Sequence, residues 1–375
     1  IFDRQVGGPM ERPPLSKGFL LGGGETVESK SLLRQKKWYK ANKVKLKTQS
    51  IVHKINRDNK TITVNNGDVV KYDKLVIASG AVPKELPSSK GIGNAFVLRQ
   101  PADANAIRQA ANNSDSVVII GGGYIGLEVA ASLRKKGMDI TVIEAGERIL
   151  ARVASKPLAE YLNKLHEDNG VTVITNVGVE GINQEDGIFN NVTLSDGRVI
   201  KGDMLITGIG VYPDSQLASD AGLETQFDTG GAILVDNDMR TSDEDIFAIG
   251  DVAIRREQTI AVESVHNAQE TAAIAAASIT GANRPNTQTP WFWSDQYDAK
   301  LQSVGIVPVQ DESVYQVERL GKREGAVSFW SYRGDELVAV EVVNDPATYM
   351  EARQCLDTRR FPDPQTNRQT ILFSG

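Results

Sequence analysis

Apolar residues along this chain cluster in two kinds of pattern, short unbroken runs and strict alternations, and the unbroken runs locate its centre. From Ser116 to Glu144 the order is an apolar run (Val117 to Ile120), a glycine-dense turn, a stretch of helical spacing and a second apolar run that ends in a carboxylate. Short continuous runs bounded by turn signals suit strands buried on both faces, so the block predicts a βαβ unit with parallel strands. Lys43 to Val64 alternates apolar and polar residues, which predicts short strands joined at the Asp58-Asn59 turn. Val192 to Ile200 predicts the same around Asp196-Gly197. Helical spacing returns from Leu158 to Asn169, stopped by Gly170, and from Val265 to Ile279, an alanine-rich segment stopped by Gly281. After the polar, proline-bounded linker Gly281 to Pro290 the sequence becomes strand-rich, with a hairpin expected around Arg333-Gly334-Asp335.

An internal repeat organises these elements. NNGDVVKYDKLVIASG, Asn65 to Gly80, matches SDGRVIKGDMLITGIG, Ser195 to Gly210, at a constant offset, with Gly67/Gly197, Asp73/Asp203, Leu75/Leu205 and Gly80/Gly210 aligned. Two homologous halves follow. The second copy closes a domain that opens at Gly121, whereas the glycine loop of the first half is expected upstream of residue 1, with Asp3 as its counterpart of Glu144. The expected fold class is therefore α/β, with two dinucleotide-binding, Rossmann-like domains, one interrupted by the other, and a C-terminal α+β domain.

The turn carries the first chemistry. Gly121, Gly123 and Gly126 have G-x-G-x-x-G spacing, with Tyr124 and Ile125 between them. The first glycine permits the tight turn, the second lets backbone approach a pyrophosphate, and the third lets the helix pack on the strand. Phosphate then meets the free N–H groups of a helix N-terminus. Glu144 follows Gly121 by 23 residues, near the spacing of about 20 for the acid that binds a ribose 2′-hydroxyl. A carboxylate there repels a 2′-phosphate, so NADH is expected over NADPH, although Arg148 is close in sequence. Gly208 and Gly210 are expected to admit the nicotinamide end.

Composition narrows the class. The formal charge of −6 argues against a general nucleic-acid binder, and no apolar run approaches the length of about 18 residues that a spanning helix needs. The single cysteine, Cys355, excludes an intramolecular disulfide and fits a reducing, cytoplasmic setting. Lys30 to Lys47 holds eight lysines or arginines and no acid. Such a run is either a solvated face or, around Arg34, a docking patch for an acidic protein.

Taken together, ERPPLSKGFL (Glu11 to Leu20), the segment ending Ala78 to Gly80, GGGYIGLE, TGIGVYPD, IFAIGD, ESVHNAQE and PWFWSD resemble the FAD-dependent ferredoxin reductases of oxygenase systems. These are the putidaredoxin reductase-like branch of the pyridine nucleotide-disulfide oxidoreductase superfamily. The resemblance implies an FAD-binding domain in two parts (1–102 and 227–286), an NAD-binding domain (103–226) and a C-terminal interface domain (287–375). It implies that Asp251 hydrogen-bonds the ribityl chain and that Glu263, Ser264, Val265 and His266 face the flavin pyrimidine. It also implies that Lys17 lies beside flavin N5, paired with Glu128, so that a cation stabilises the reduced ring. Asp3, Arg12, Pro13, Val52, Ala78, Gly80, Arg99 and Trp293 are further implied FAD contacts.

Related disulfide reductases carry cysteine where this chain has ERPPLSKG. The expected route is therefore from NADH through FAD to an external ferredoxin-type carrier, by a monomer or homodimer. The alternatives are a rubredoxin or monodehydroascorbate reductase, or an NADH-responsive signalling flavoprotein resembling apoptosis-inducing factor.

Overall fold

The unbroken apolar runs are neighbouring strands of one parallel sheet. In the computed structural model, which describes residues 1–23, 30–65, 67–227, 231–259, 261–285 and 287–365, this sheet has the order Ala95–Phe96, Met204–Thr207, Ser116–Ile120, Asp139–Ile143 and Thr172–Ile174. Each adjacent pair is parallel. Val117 to Ile120, Val142, Ile143 and Met204 to Ile206 are all buried, as strands covered on both faces require. The Tyr124–Lys135 helix returns the chain across the sheet and buries Leu127, Val129, Ala130, Ala131 and Leu133. The sheet belongs to a unit made of Pro13–Gly24, Pro83–Gly210 and Gln288–Gly375.

The same unit contains an antiparallel sheet in the order Trp291–Gln296, Ala299–Gly305, Glu336–Val343, Val327–Arg333 and Val314–Leu320. The expected hairpin is present, with Arg333 opposite Glu336. The Pro346–Thr358 helix, capped by the Asp345 side chain at 3.1 Å from the Thr348 N–H, lays Tyr349 and Ala352 on a core of Val304, Val317, Trp330 and Val340.

The other unit consists of Ile1–Arg12, Glu25–Val82 and Val211–Thr287. Its core gathers Ile62, Ile77, Ile233, Val235, Phe247 and Ile274. Leu75–Ile77 pairs in parallel with Ile246–Ala248. The long helix spans Val265–Thr280; Ser264 caps its start, and Gly281, at φ +69, ends it in the left-handed region.

The repeat is visible in the backbone. Asp68–Lys71 and Val199–Lys201 each close an antiparallel hairpin, and the following segments, Leu75–Ile77 and Met204–Thr207, each enter a parallel pair. One expectation is corrected. Alternation from Lys43 predicted strand, but regular pairing begins only at Val52. Lys43 and Gln49 take positive φ, and the stretch contributes a single bridge, Lys47 with Phe2. Left-handed residues interrupt the two-residue alternation that a ladder needs. Residue 286, where the second FAD segment was expected to end, and residues 366–375 of the C-terminal domain lie outside the described residues.

Candidate nucleotide and redox site

The glycine loop leaves the C-terminal end of Ser116–Ile120, the crevice end of a parallel sheet. Gly121 holds φ +111, and a Cβ there would strike the Gly208 carbonyl. A Cβ on Gly126 would strike the carbonyl of Gly121. Packing thus requires glycine at these two positions, whereas a Cβ on Gly208 would meet its neighbours only at ordinary contact distance, 3.6 Å or more. Gly123 differs, because a Cβ there would meet nothing within 4 Å. Gly123 is also the N-cap of Tyr124–Lys135, and no side chain caps that end. The helices starting after Ser155, Ser264 and Asp345 all have a side-chain cap. Uncapped N–H groups beneath open space fit a pyrophosphate.

Glu144 follows Asp139–Ile143 and accepts hydrogen bonds from the Gly122 and Gly146 N–H groups, each at 2.7 Å. A carboxylate has about four lone-pair sites, so acceptor capacity remains for a sugar hydroxyl. Ile125 is exposed, and Tyr124 packs against Phe292 with ring centres 4.6 Å apart. Burial raises the Tyr124 phenol well above its usual range, and the nearby Glu341 and Glu128 add to this. Gly208 and Gly210, the latter at φ +108, follow the strand Met204–Thr207.

Lys17 and Glu128 meet. Pro13–Ser16 forms a single 3-10 turn, which aims Lys17 at the Tyr124–Lys135 helix. Lys17 Nζ lies 2.8 Å from Glu128 Oε1, with the Glu128 side chain only 6% exposed. Ser16 Oγ contacts Glu128 Oε2 at 2.5 Å, and Ser294 Oγ contacts Oε1 at 2.6 Å. Gln296 Nε2 donates to Ser294 Oγ at 3.2 Å, and Gln296 Oε1 lies 2.8 Å from His166 Nε2. Tyr297 Oη lies 3.4 Å from His166 Nδ1. Burial lowers the affinity of His166 for a proton, a tendency opposed by its bond to Gln296, and burial pushes the Tyr297 phenol up to about 12. Ser16, Ser294, Gln296 and His166 escaped the sequence reading. Ser294 belongs to the PWFWSD motif, whose resemblance implies a role for Trp293 alone.

The remaining expected residues are distributed over both units. In the unit that contains Val211–Thr287, Asp251 sits in the Gly250–Val252 turn, three residues beyond the parallel strand Ile246–Ala248. Thr271 Oγ1 of the long helix accepts the Gly250 N–H at 2.9 Å. An acid at a strand's carboxyl end, beside a glycine turn at φ +70, fits a polyol such as a ribityl chain. His266 is buried in the first turn of the Val265–Thr280 helix, and Glu263 is exposed just before it. Asp3 accepts the Gln5 N–H at 2.9 Å, Val52 opens its strand, and Ala78 and Gly80 follow Leu75–Ile77. Arg12 is half-buried. In the unit of the five-stranded parallel sheet, Pro13 starts the turn before Lys17, the Arg99 N–H donates to Asp103 at 2.8 Å, and the Trp293 and Trp291 ring centres lie 5.5 Å apart. The described residues contain no group of three or more His, Cys, Asp or Glu able to hold a metal, and no helix long and apolar enough to cross a membrane.

A glycine loop at the carboxyl end of a parallel sheet and a lysine paired with a buried glutamate make up the candidate site, and comparison with known proteins specifies the class. The chain belongs to the pyridine nucleotide-disulphide oxidoreductase family, whose model matches residues 1–272; a reductase C-terminal model matches 291–370. It is 36% identical over 371 residues to rhodocoxin reductase of Rhodococcus erythropolis, covering 98% of this chain and 85% of the relative. It is 36% identical over 366 residues to putidaredoxin reductase of Pseudomonas putida, covering 95% and 85%. Among solved structures, the ferredoxin reductase for the CYP199A2 system from Rhodopseudomonas palustris superposes with a TM-score of 0.92 at 32% identity, covering 98% of this chain and 90% of that one. The covalent putidaredoxin reductase–putidaredoxin complex gives 0.89 at 33% identity, covering 97% and 88%.

Proposed function

We propose that this chain is an FAD-dependent NADH:ferredoxin oxidoreductase, which passes electrons from NADH to a small iron–sulfur carrier serving an oxygenase. The observation that carries the reading is the buried Lys17–Glu128 pair on the helix that follows the dinucleotide loop. Bound FAD supplies a centre that accepts a hydride and releases electrons singly. The uncapped turn at Gly123 receives the NADH pyrophosphate, and Glu144 accepts from the ribose hydroxyl while repelling a 2′-phosphate. Lys17 offers a cation to the negative charge of the reduced ring, and Glu128 holds that cation in place. Asp251 and the Glu263 to His266 segment hold FAD, together with Asp3, Arg12, Pro13, Val52, Ala78, Gly80, Arg99 and Trp293. On this reading 1–102 and 227–286 bind FAD, 103–226 binds NADH, and 287–375 forms an interface domain.

The single thiol, Cys355, lies in the Pro346–Thr358 helix, so delivery to an external carrier replaces a cysteine relay. That carrier docks at the basic run. Arg34, Lys36, Lys37, Trp38 and Lys40 are exposed there, with the Arg34 guanidinium 5.4 Å from the Trp38 ring centre. A reducing cytoplasm suits the protein, as monomer or homodimer. Steady-state turnover with NADH tests the proposal: an acidic ferredoxin is reduced rapidly, with a rate that falls steeply with salt, while ferricyanide reduction is nearly salt-independent. Equal salt slopes would remove the docking patch. Flavin reduction without turnover of any iron–sulfur carrier would remove the function.

A further inference from the structure

The polar groups behind Glu128 have only one consistent arrangement of hydrogens. A carboxylate can only accept, so Ser16 and Ser294, at 2.5 and 2.6 Å, must both donate to it. With its single proton committed to Glu128, Ser294 Oγ accepts from the Gln296 amide nitrogen at 3.2 Å. Gln296 therefore turns its carbonyl oxygen to His166, and at 2.8 Å this oxygen requires a proton on Nε2. His166 Nδ1 is left as an acceptor, and the Tyr297 hydroxyl points to it at 3.4 Å. The opposite amide orientation would face the Ser294 lone pairs toward those of Glu128. Ser294 and His166 are 0% exposed and Gln296 2%, so no water repairs a wrong orientation.

The segments that contribute are far apart in sequence. Glu128 comes from the Tyr124–Lys135 helix, His166 from Lys156–Asp168, and Ser294 and Gln296 from the edge strand Trp291–Gln296. Because an amide side chain is a poor proton carrier, the chain of bonds cannot act as a proton wire. Its dipoles all point the same way, each donor directed toward Glu128. Such alignment strengthens every bond in the series.

We propose that Ser294, Gln296 and His166 are positioning residues, a polarised donor chain that orients the Glu128 carboxylate and, through it, the Lys17 ammonium. This deepens the reductase reading and rests on it for its consequence in turnover. The geometry of the chain itself does not depend on that reading. Lys17 donates on the open side of the carboxylate, Ser16 closes the second oxygen, and the strand supplies the third donor. Tyr124, on the same helix, also feels the Glu128 charge.

The chain has three histidines, so nitrogen-15 imidazole spectra of the FAD-loaded protein resolve His166 without ambiguity. The expected result is one tautomer with Nε2 protonated in the native chain. In Ser294→Ala and in Gln296→Leu the bias is lost and both tautomers appear. Either variant carries the readout if the other fails to fold. In both, NADH-dependent flavin reduction slows about tenfold while KM for NADH stays within about twofold, the split that marks lost transition-state stabilisation rather than lost binding. An unchanged Nε2–H tautomer in the variants, or an Nδ1–H tautomer in the native chain, overturns the donor chain even if ferredoxin turnover persists. Absent ferredoxin turnover with the tautomer shift intact overturns only the reductase reading.

Discussion

Lys17 and Glu128 form an ion pair of 2.8 Å in which the carboxylate side chain is 6% exposed and the ammonium side chain 18%. Taking both charges out of water is costly, and breaking such a pair from one side leaves the other uncompensated. The two serines that also donate to Glu128 soften that loss, so Lys17→Met is expected to destabilise the chain by about 2 kcal/mol rather than the upper range for buried pairs. A double-mutant cycle with Glu128→Gln, read by urea unfolding, is expected to give a coupling above about 1 kcal/mol. Coupling below about 0.5 kcal/mol would return the pair to the class of surface salt bridges.

The glycine loop separates folding from ligand binding. Gly126→Ala drives a methyl into the Gly121 carbonyl and Gly121→Ala drives one into the Gly208 carbonyl, the latter also at φ +111. Both are expected to lose about 2 to 4 kcal/mol of stability. Gly123→Ala sits at φ −81 with its Cβ in open space. Its melting temperature is expected to stay within about 2 °C of the native value, while NADH affinity falls at least about tenfold because the methyl occupies the phosphate approach. A Gly123→Ala chain that binds NADH normally would show that the loop does not receive the pyrophosphate.

What could be read from sequence divides along a physical line. Signals that act within a few residues were legible: the glycine stop at Gly281, the Arg333-Gly334-Asp335 hairpin and the loop from Gly121 to Gly126. Lys17 and Glu128 were found through their motifs, since neither type nor spacing alone announces a contact between residues so far apart. Ser294, Gln296 and His166 converge only when the edge strand crosses two helices, and no local pattern encodes that meeting. Lys43 to Ile51 shows the converse failure. Its alternation is genuine, but positive φ at Lys43 and Gln49 breaks the pleat, and side chains that do not share a ladder cannot turn alternation into a strand.

Glu144 also has a double role, because it binds the N–H groups of Gly122 and Gly146 as well as defining the ribose end of the site. Glu144→Ala would loosen the loop and confuse structure with specificity. Glu144→Gln keeps one acceptor oxygen and removes the charge. Fluorescence titration of this variant is expected to show NADPH binding improved about tenfold and NADH binding weakened by less, as repulsion of the 2′-phosphate disappears. Unchanged selectivity would shift the discrimination to another residue, with Arg148 the nearest candidate.

Glu341 makes stability itself depend on pH. It is 1% exposed, and its two oxygens lie 3.2 and 3.3 Å from a single N–H, that of Ser155 at the start of the Lys156–Asp168 helix. Burial pushes its pKa up to about 7, against the opposing effects of the Ser155 bonds and the Arg148 charge. In the unfolded chain the group titrates near the ordinary glutamate value of about 4.3. Between these values the folded protein holds a proton that the unfolded chain has released. The contribution of Glu341 therefore favours folding at low pH and is lost progressively as pH rises from about 4 through 7, by up to about 4 kcal/mol. Glu341→Gln keeps the shape and an acceptor for Ser155 but cannot ionise. Urea unfolding is expected to show variant and native chains nearly equal in stability at pH 5, with the variant more stable by about 2 kcal/mol at pH 8. Other titrating groups, His166 among them, are common to both proteins and cancel in the difference. A stability difference that stays constant from pH 5 to pH 8 would mean that Glu341 does not titrate in this window.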